Sequence, residues 1–239
     1  MMPPETFTAV LVGARPLADG VRELTFERTD GRPLSFLAGQ WVNLELGETI
    51  GALRRAYSLA SPPDGTGRFE LAVTRVEGGP GSTRLHALVP GDQVTVVGPQ
   101  GIFVRKVRGP SLFVATGTGY TPLRSMLKHA LADGDTSPMR LIFGVRTPND
   151  RIYEDELAEL EARYPHFRGA FTLSRAPESW DGRRGYVQTH VRELYDELSA
   201  FGRTNVYICG LHRMVGAVRD LLRKDMGLER QQVHSERYD

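Results

Sequence analysis

The apolar residues of this chain change their spacing near Gly109, and that change constrains the fold more than any other feature of the sequence. From Phe7 to Val97 they mostly alternate, in short runs broken by Gly and Pro. Phe69, Leu71 and Val73 of Phe69–Val76 give the clearest case, because successive side chains of a strand point to opposite faces. Val21–Glu27, Trp41–Leu46, Ala56–Ala60 and Gln93–Val97 share the pattern. Turn sequences such as Pro62-Pro63-Asp64-Gly65 and Pro90-Gly91-Asp92 separate them. Short strands at this spacing predict a small antiparallel β-barrel. A short helix is expected to start near Ser82, with Leu85, Leu88 and Val89 on one face.

Beyond Gly109, strand-like runs alternate with helical stripes. Ser111–Ala115, Arg140–Val145, Phe167–Ser174 and Asn205–Cys209 have strand character, and Gln232–Arg237 is a candidate last strand. Between them lie stripes at helical spacing: Leu123, Met126, Leu127, Ala130 and Leu131; Tyr153, Leu157, Leu160 and Tyr164; Val187, Val191, Leu194 and Leu198; and Met214 to Leu222. Pro122 falls in a first helical turn, where its missing N–H costs nothing. This order predicts a parallel sheet with helices on both faces. The chain therefore reads as two domains, residues 1–107 an antiparallel β-barrel and residues 108–239 an α/β domain.

Composition removes several classes of function. A net charge of +1, with 12 basic and 11 acidic side chains up to Gly109 and 18 of each after it, argues against a nucleic-acid coat. The single cysteine, Cys209, cannot form an intramolecular disulfide, a thiolate zinc cage or a four-cysteine iron–sulfur cluster. No run approaches the ~18 apolar residues that span a membrane. Met1-Met2-Pro3-Pro4-Glu5 lacks the features of a signal peptide, so a cytoplasmic protein is expected.

Ligands of open α/β sheets bind at the carboxyl ends of the strands, and these ends carry unusual residues here. Val114–Pro122 holds Gly117-Thr118-Gly119 at a strand-to-helix junction, where backbone N–H groups suit a phosphate. Pro122 stands in place of the third glycine of the dinucleotide fingerprint, and a tight turn explains the loop equally well. Arg146 ends the next strand, where a standard NAD site offers an acidic group to the ribose. Ser174-Arg175 and Gly182-Arg183-Arg184-Gly185 follow; their guanidinium groups suit a 2′-phosphate or are solvated surface charges. Cys209-Gly210 precedes the final helix, as inert packing or as a ligand contact. In the first half, Arg55 and Tyr57 share one side of a strand and Ser58 faces the other, a set suited to a flat cofactor with a pyrophosphate tail or to a plain exposed strand. Gly78–Thr83 is a second glycine-rich helix start, or a flexible loop.

Taken in order along the chain, these segments resemble the ferredoxin–NADP reductase-type flavoproteins. Arg55-Ala56-Tyr57-Ser58 is similar to that family's flavin motif, and Gly79-Pro80-Gly81-Ser82-Thr83 to its flavin pyrophosphate loop. Gly98-Pro99-Gln100-Gly101-Ile102-Phe103 resembles the signature that closes the barrel. Gly117–Pro122 resembles the nicotinamide-cofactor loop and Cys209-Gly210 the last nicotinamide motif. The resemblance implies an FAD-binding barrel, an NADP-binding α/β domain and an oxidoreductase that moves hydride between NADPH and flavin. It implies that Tyr57 stacks on the flavin ring, that Ser58 hydrogen-bonds its N5, and that Arg55, Ser82 and Thr83 hold the diphosphate. Ala56, Val73, Gly79 and Gly81 join these as cofactor contacts. Gly117, Thr118, Gly119, Pro122, Cys209 and Gly210 line the nicotinamide side, while Arg146, Ser174, Arg175 and Arg183 match positions that bind the 2′-phosphate. Glu236 and Tyr238 match a C-terminal acid and aromatic near the flavin, so Ser58, Cys209 and Glu236 are the expected catalytic set.

The implied cofactors are FAD and NADPH, in preference to NADH, with no metal. Residues 1–107 leave no room for a fused iron–sulfur module, so electrons are expected to pass to a separate carrier such as ferredoxin or flavodoxin. Arg32, Arg54, Arg84, Arg105, Lys106 and Arg108 are candidates for a basic docking face. The competing readings are an NAD(P)H:flavin reductase, an NADH-dependent reductase of an oxygenase, and a redox- or nucleotide-sensing subunit. Neither nucleic acid nor membrane is an expected partner.

Overall fold

A computed structural model describes residues 3–47 and 53–238. They form two compact units, one drawn from the chain up to Arg105 together with Arg124–His129, the other from Lys106–Leu123 and from Ala130 onward. Among the described residues no helix is long and apolar enough to cross a membrane.

The first unit is a six-stranded antiparallel sheet made of β1 (Glu5–Ala18), β2 (Val21–Arg28), β3 (Trp41–Glu45), β4 (Arg54–Ser58), β5 (Arg68–Thr74) and β6 (Gln93–Gln100), in the order β4-β3-β6-β1-β2-β5. β1 is long enough to pair with both β6 and β2, and register shifts at Leu11/Gly13 and Pro16/Ala18 bend it. The sheet closes where Ala60 N–H donates to the Glu70 carbonyl at 2.8 Å and Glu70 N–H to Ser61 Oγ at 3.1 Å. Arg124 braces that seam from within the same unit, donating to the Ala60 carbonyl at 2.8 Å and to Glu70 at 2.6 Å. Inward residues such as Leu24, Phe26, Val42, Leu44, Phe69 and Leu71 fill the barrel. Helix α1 (Pro80–Ala87) buries Leu85, and it ends before Val89. Val89 is 58% exposed, so it does not join the face predicted for it.

The second unit is a six-stranded parallel sheet of β7 (Ser111–Thr116), β8 (Met139–Val145), β9 (Phe167–Leu173), β10 (Arg183–Arg184), β11 (Asn205–Leu211) and β12 (Val233–Tyr238), ordered β10-β9-β8-β7-β11-β12. Helices α2 (Tyr120–Ala132), whose residues Arg124–His129 belong to the first unit, α3 (Glu154–Arg163), α4 (Gln188–Ser199) and α5 (His212–Asp220) connect the strands. Both faces are buried, which explains the unbroken apolar runs. Leu112, Val114, Ile142 and Ile208 pack with Val191 of α4 and Val218 of α5. The alternate residues form aromatic pairs, Phe113 on Tyr207 at 5.5 Å and Phe143 on Phe171 at 5.2 Å. Tyr153, placed by its spacing inside a helix, instead precedes α3 in a left-handed conformation with φ 58°.

Candidate functional site

The strand order of the second unit reverses at β7: β8, β9 and β10 lie on one side of it and β11 and β12 on the other. A sheet of this kind has its ligand crevice at such a reversal, outside the carboxyl ends of the two central strands. Those ends are Thr116, leading into a tight turn over Gly117–Gly119 and then α2, and Cys209-Gly210-Leu211, leading into α5. The two segments touch through backbone. A Cβ on Gly119 would stand 2.4 Å from Gly210 Cα and 2.5 Å from the Cys209 carbonyl oxygen. One on Gly210 would stand 2.1 Å from Thr116 Oγ1, and Gly210 has a φ of +146°. Leu211 N–H donates to Thr116 Oγ1 at 3.2 Å. Gly117, with φ +53° and open space around it, is exposed at the mouth, and Thr118 is half-buried beside it. Pro122 is buried in the first turn of α2.

Cys209 is buried, and burial first, then the charge of Glu236, pushes its thiol well above its ordinary pKa, against a hydrogen bond from Tyr238. Glu236 sits opposite Cys209 in the β11–β12 register. The Tyr238 hydroxyl also lies 3.2 Å from Thr121 Oγ1, which donates to the Thr118 carbonyl at 2.9 Å. Thr118, Cys209, Gly210, Glu236 and Tyr238 are thus gathered at one end of β11. A buried thiol with its pKa raised in this way is suited to packing and contact.

The arginines predicted for a 2′-phosphate divide into two kinds. Arg146 and Arg175 are exposed and adjacent, with Arg175 N–H donating to the Arg146 carbonyl at 2.8 Å. Ser174, also exposed, donates its N–H to the Val145 carbonyl at 3.0 Å. Arg183 points elsewhere. Both its Nη atoms donate to the Glu193 carboxylate at 2.8 Å and Nη1 lies 3.2 Å from His190 Nδ1. Its charge is therefore matched on α4. Tyr186, 66% exposed just after Gly185, was not anticipated; a lone aromatic after a glycine gives no periodic signal, yet its face suits stacking on a base.

In the first unit, Arg55, Tyr57 and Gly81 converge. A Cβ on Gly81 would lie 2.9 Å from Arg55 Cγ and 3.6 Å from the Tyr57 hydroxyl. Arg55 and Ala56 are exposed, Tyr57 is half-buried with its pKa raised by burial, and Ser58 is buried at the end of β4. Gly79 caps α1, and the N–H groups of Gly81 and Ser82 in its first turn have no helical acceptor. Thr83 N–H donates to the Gly79 carbonyl at 3.0 Å, and the Thr83 side chain is exposed. The Ser82 hydroxyl is 3.0 Å from Val76 N and 3.2 Å from the Gly79 carbonyl oxygen, so it shapes the loop rather than facing outward. Val73 belongs to the barrel core, with its carbonyl oxygen 2.9 Å from His86 Nε2. Of the six basic residues considered for a docking face, Arg32, Arg54 and Arg108 are paired with Glu5, Glu45 and Asp133.

Residues 9–104 match the oxidoreductase FAD-binding domain family and residues 113–220 the oxidoreductase NAD-binding domain family. The chain is 54% identical to a protein of Sorangium cellulosum called ferredoxin–NADP reductase B, over the whole of both chains. It is 37% identical to the phenol 2-monooxygenase reductase component DmpP of a Pseudomonas species, over 83% of this chain and 57% of that protein. Among solved structures, the Amycolatopsis cytochrome P450 reductase GcoB superposes with a TM-score of 0.88 at 30% identity, over 99% of this chain and 71% of that one. A Neisseria gonorrhoeae ferredoxin–NADP reductase with bound FAD and NADP shares the fold, with a TM-score of 0.82 at 22% identity over 97% of this chain and 98% of that one.

Proposed function

Because the chain belongs to the ferredoxin–NADP reductase-type flavoproteins, FAD-containing NAD(P)H-dependent oxidoreductases, we propose that it oxidises NADPH and delivers the electrons one at a time to a soluble carrier such as ferredoxin or flavodoxin. FAD supplies the conversion of a hydride donor's electron pair into single electrons; the protein supplies binding and orientation.

The residues present fit both nucleotides. On the flavin side, Gly81 keeps the start of α1 open beside Arg55 and Tyr57. The guanidinium and the free first-turn N–H groups of α1 are suited to hold the diphosphate, and the Tyr57 face to lie on the ring. Ser58, at the end of β4, is our candidate for the hydrogen bond to N5. On the pyridine-nucleotide side, Gly119 and Gly210 allow two backbone segments to meet without side chains between them, leaving a smooth floor beside Thr118 and Cys209. Glu236 and Tyr238 edge that floor.

One observation carries the choice of NADPH. The carboxyl end of β8 presents exposed Arg146, hydrogen-bonded through its carbonyl to exposed Arg175, where NAD recognition calls for a carboxylate. Two arginines on loops joined in this way are suited to read a phosphate.

The test is anaerobic transfer from NADPH to a purified ferredoxin or flavodoxin, followed by the acceptor's absorbance. Reduction at a rate that saturates with acceptor supports the reading. Loss of FAD on purification, with turnover only on added free flavin, would replace it with a flavin reductase. A second reading is supported by the oxygenase-linked relatives: electrons go to an oxygenase component. DmpP is longer than this chain, which spans 57% of it.

A further inference from the structure

Nine residues, 174–182, connect β9 to β10, and they carry Ser174 and Arg175. A loop of that length with a glycine in it would ordinarily sample many conformations. Here a single side chain gathers it. The Arg184 guanidinium, on an exposed residue, faces the loop's carbonyls: Nη2 shares its two N–H bonds among those of Pro177 at 2.9 Å, Glu178 at 3.0 Å and Trp180 at 2.5 Å, and Nη1 approaches that of Ala176 at 3.4 Å. Carbonyl oxygens turned toward one point repel one another unless a cation sits among them. Arg184 is that cation, and its planar fork supplies several donors at once.

Further contacts fix the gathered loop to its surroundings. The Trp180 indole N–H donates to the Arg183 carbonyl at 2.9 Å, closing the loop on β10. The Arg151 guanidinium lies over the Trp180 ring at 5.2 Å, and Arg151 belongs to the segment that follows Arg146. At the base, Thr172 Oγ1 donates to the Gly185 carbonyl at 2.9 Å, and His190 Nε2 lies 3.0 Å from the Arg184 carbonyl. The loop after β9 and the segment after β8 are thereby held together, and the Arg175 N–H to Arg146 carbonyl bond is where they meet.

We propose that Arg184 is a positioning residue for nucleotide discrimination. It acts through Arg175, keeping that residue's backbone beside Arg146 by ordering residues 176–180, and it does so before any nucleotide arrives. The proposal rests on the reading that Arg146 and Arg175 take the 2′-phosphate. Because the phosphate distinguishes NADPH from NADH, the consequence falls on the ratio of the two KM values and not on kcat.

The experiment uses the FAD-loaded protein with Arg184→Ala, Arg184→Lys and Arg175→Ala, and two readouts. The first needs no nucleotide: the rate at which trypsin cuts the Arg175–Ala176 bond, followed by mass spectrometry. Releasing the charged hydrogen bonds is expected to speed that cut by about tenfold in Arg184→Ala, with Arg184→Lys between it and the parent. The second is KM for NADPH against KM for NADH. Arg184→Ala is expected to lose about tenfold of the preference, Arg184→Lys part of it, with kcat held. An unchanged cleavage rate together with lost preference would overturn the proposal, because Arg184 would then touch the phosphate directly. Faster cleavage with unchanged preference would overturn it too. If Arg175→Ala itself leaves the preference unchanged, the 2′-phosphate reading fails, whatever trypsin does at Arg184.

Discussion

Replacing Gly119 with alanine is expected to damage the pyridine-nucleotide unit while sparing the barrel. The new Cβ would meet only backbone, Gly210 Cα at 2.4 Å, Gly210 N at 2.5 Å and the Cys209 carbonyl oxygen at 2.5 Å. Ordinary contacts of this kind lie near ~3.5–4 Å, so the segments must part by about 1 Å. Neither is free to yield. Cys209 is paired with Ala115 in the β7–β11 ladder, and Leu211 N–H is held by Thr116 Oγ1. Forcing one methyl into such a place costs about 3 kcal/mol, at the upper end of the usual overpacking range because no flexible side chain can move aside. For a unit of this size that is a fall in melting temperature of roughly 10 °C. Calorimetry of the flavin-loaded protein, with KM for NADPH measured on the same preparation, reads both consequences. Gly216→Ala is the control: it lies in α5 with nothing within 4 Å of an added Cβ, and should gain about 0.5–1 kcal/mol. A Gly119→Ala protein that melts with the parent and keeps its KM for NADPH would refute the argument that these glycines form the floor of the site.

Further outcomes are expected. Arg146→Ala with Arg175→Ala should raise KM for NADPH by about a hundredfold and move that for NADH by less than about threefold, whereas Arg183→Ala, already matched by Glu193, should change the ratio by less than about threefold, as steady-state kinetics will read. Cys209 should resist iodoacetamide at pH 8 in the native protein and react on unfolding, since burial holds its pKa far above the ordinary value; rapid native labelling would contradict that placement. Asp30, hydrogen-bonded by Arg28, has its carboxyl held well below the usual range, so it contributes stability at pH values above the unfolded carboxylate pKa and loses it as pH falls toward the depressed folded value. Asp30→Asn should therefore lower stability at pH 7 and lessen its decline in acid, and urea midpoints across pH 3–7 give the comparison.

What the sequence revealed and what it hid follow from range. The barrel and the α/β sheet were legible because their periods, two and 3.6, are local properties of buried faces. The glycine loop after β7 and Cys209-Gly210 could each be found by eye. That they press against each other could not, since Gly119 and Gly210 are far apart in the chain and only the parallel register of β7 with β11 brings them together. Charge was the least legible property. Arg146, Arg175, Arg183 and Arg184 look alike in a chain where 27 of 30 basic residues are arginine. Their partners separate them: the first two are exposed, the third is paired on α4, and the fourth, though also exposed, donates to loop carbonyls. Ser82 makes the same point on the flavin side, where a hydroxyl placed at a helix start by its motif turns back to its own loop. Tyr153 broke a helical stripe because its left-handed backbone, invisible to spacing, starts α3 one residue later.

The central claim, an FAD reductase that prefers NADPH, is tested most directly by the visible spectrum of the purified protein under anaerobic addition of each nucleotide. The protein is expected to keep its yellow flavin through purification, with the flavin band bleached much faster by NADPH than by NADH. A colourless protein that does not retain added FAD, or a flavin band bleached equally fast by both nucleotides, would contradict it.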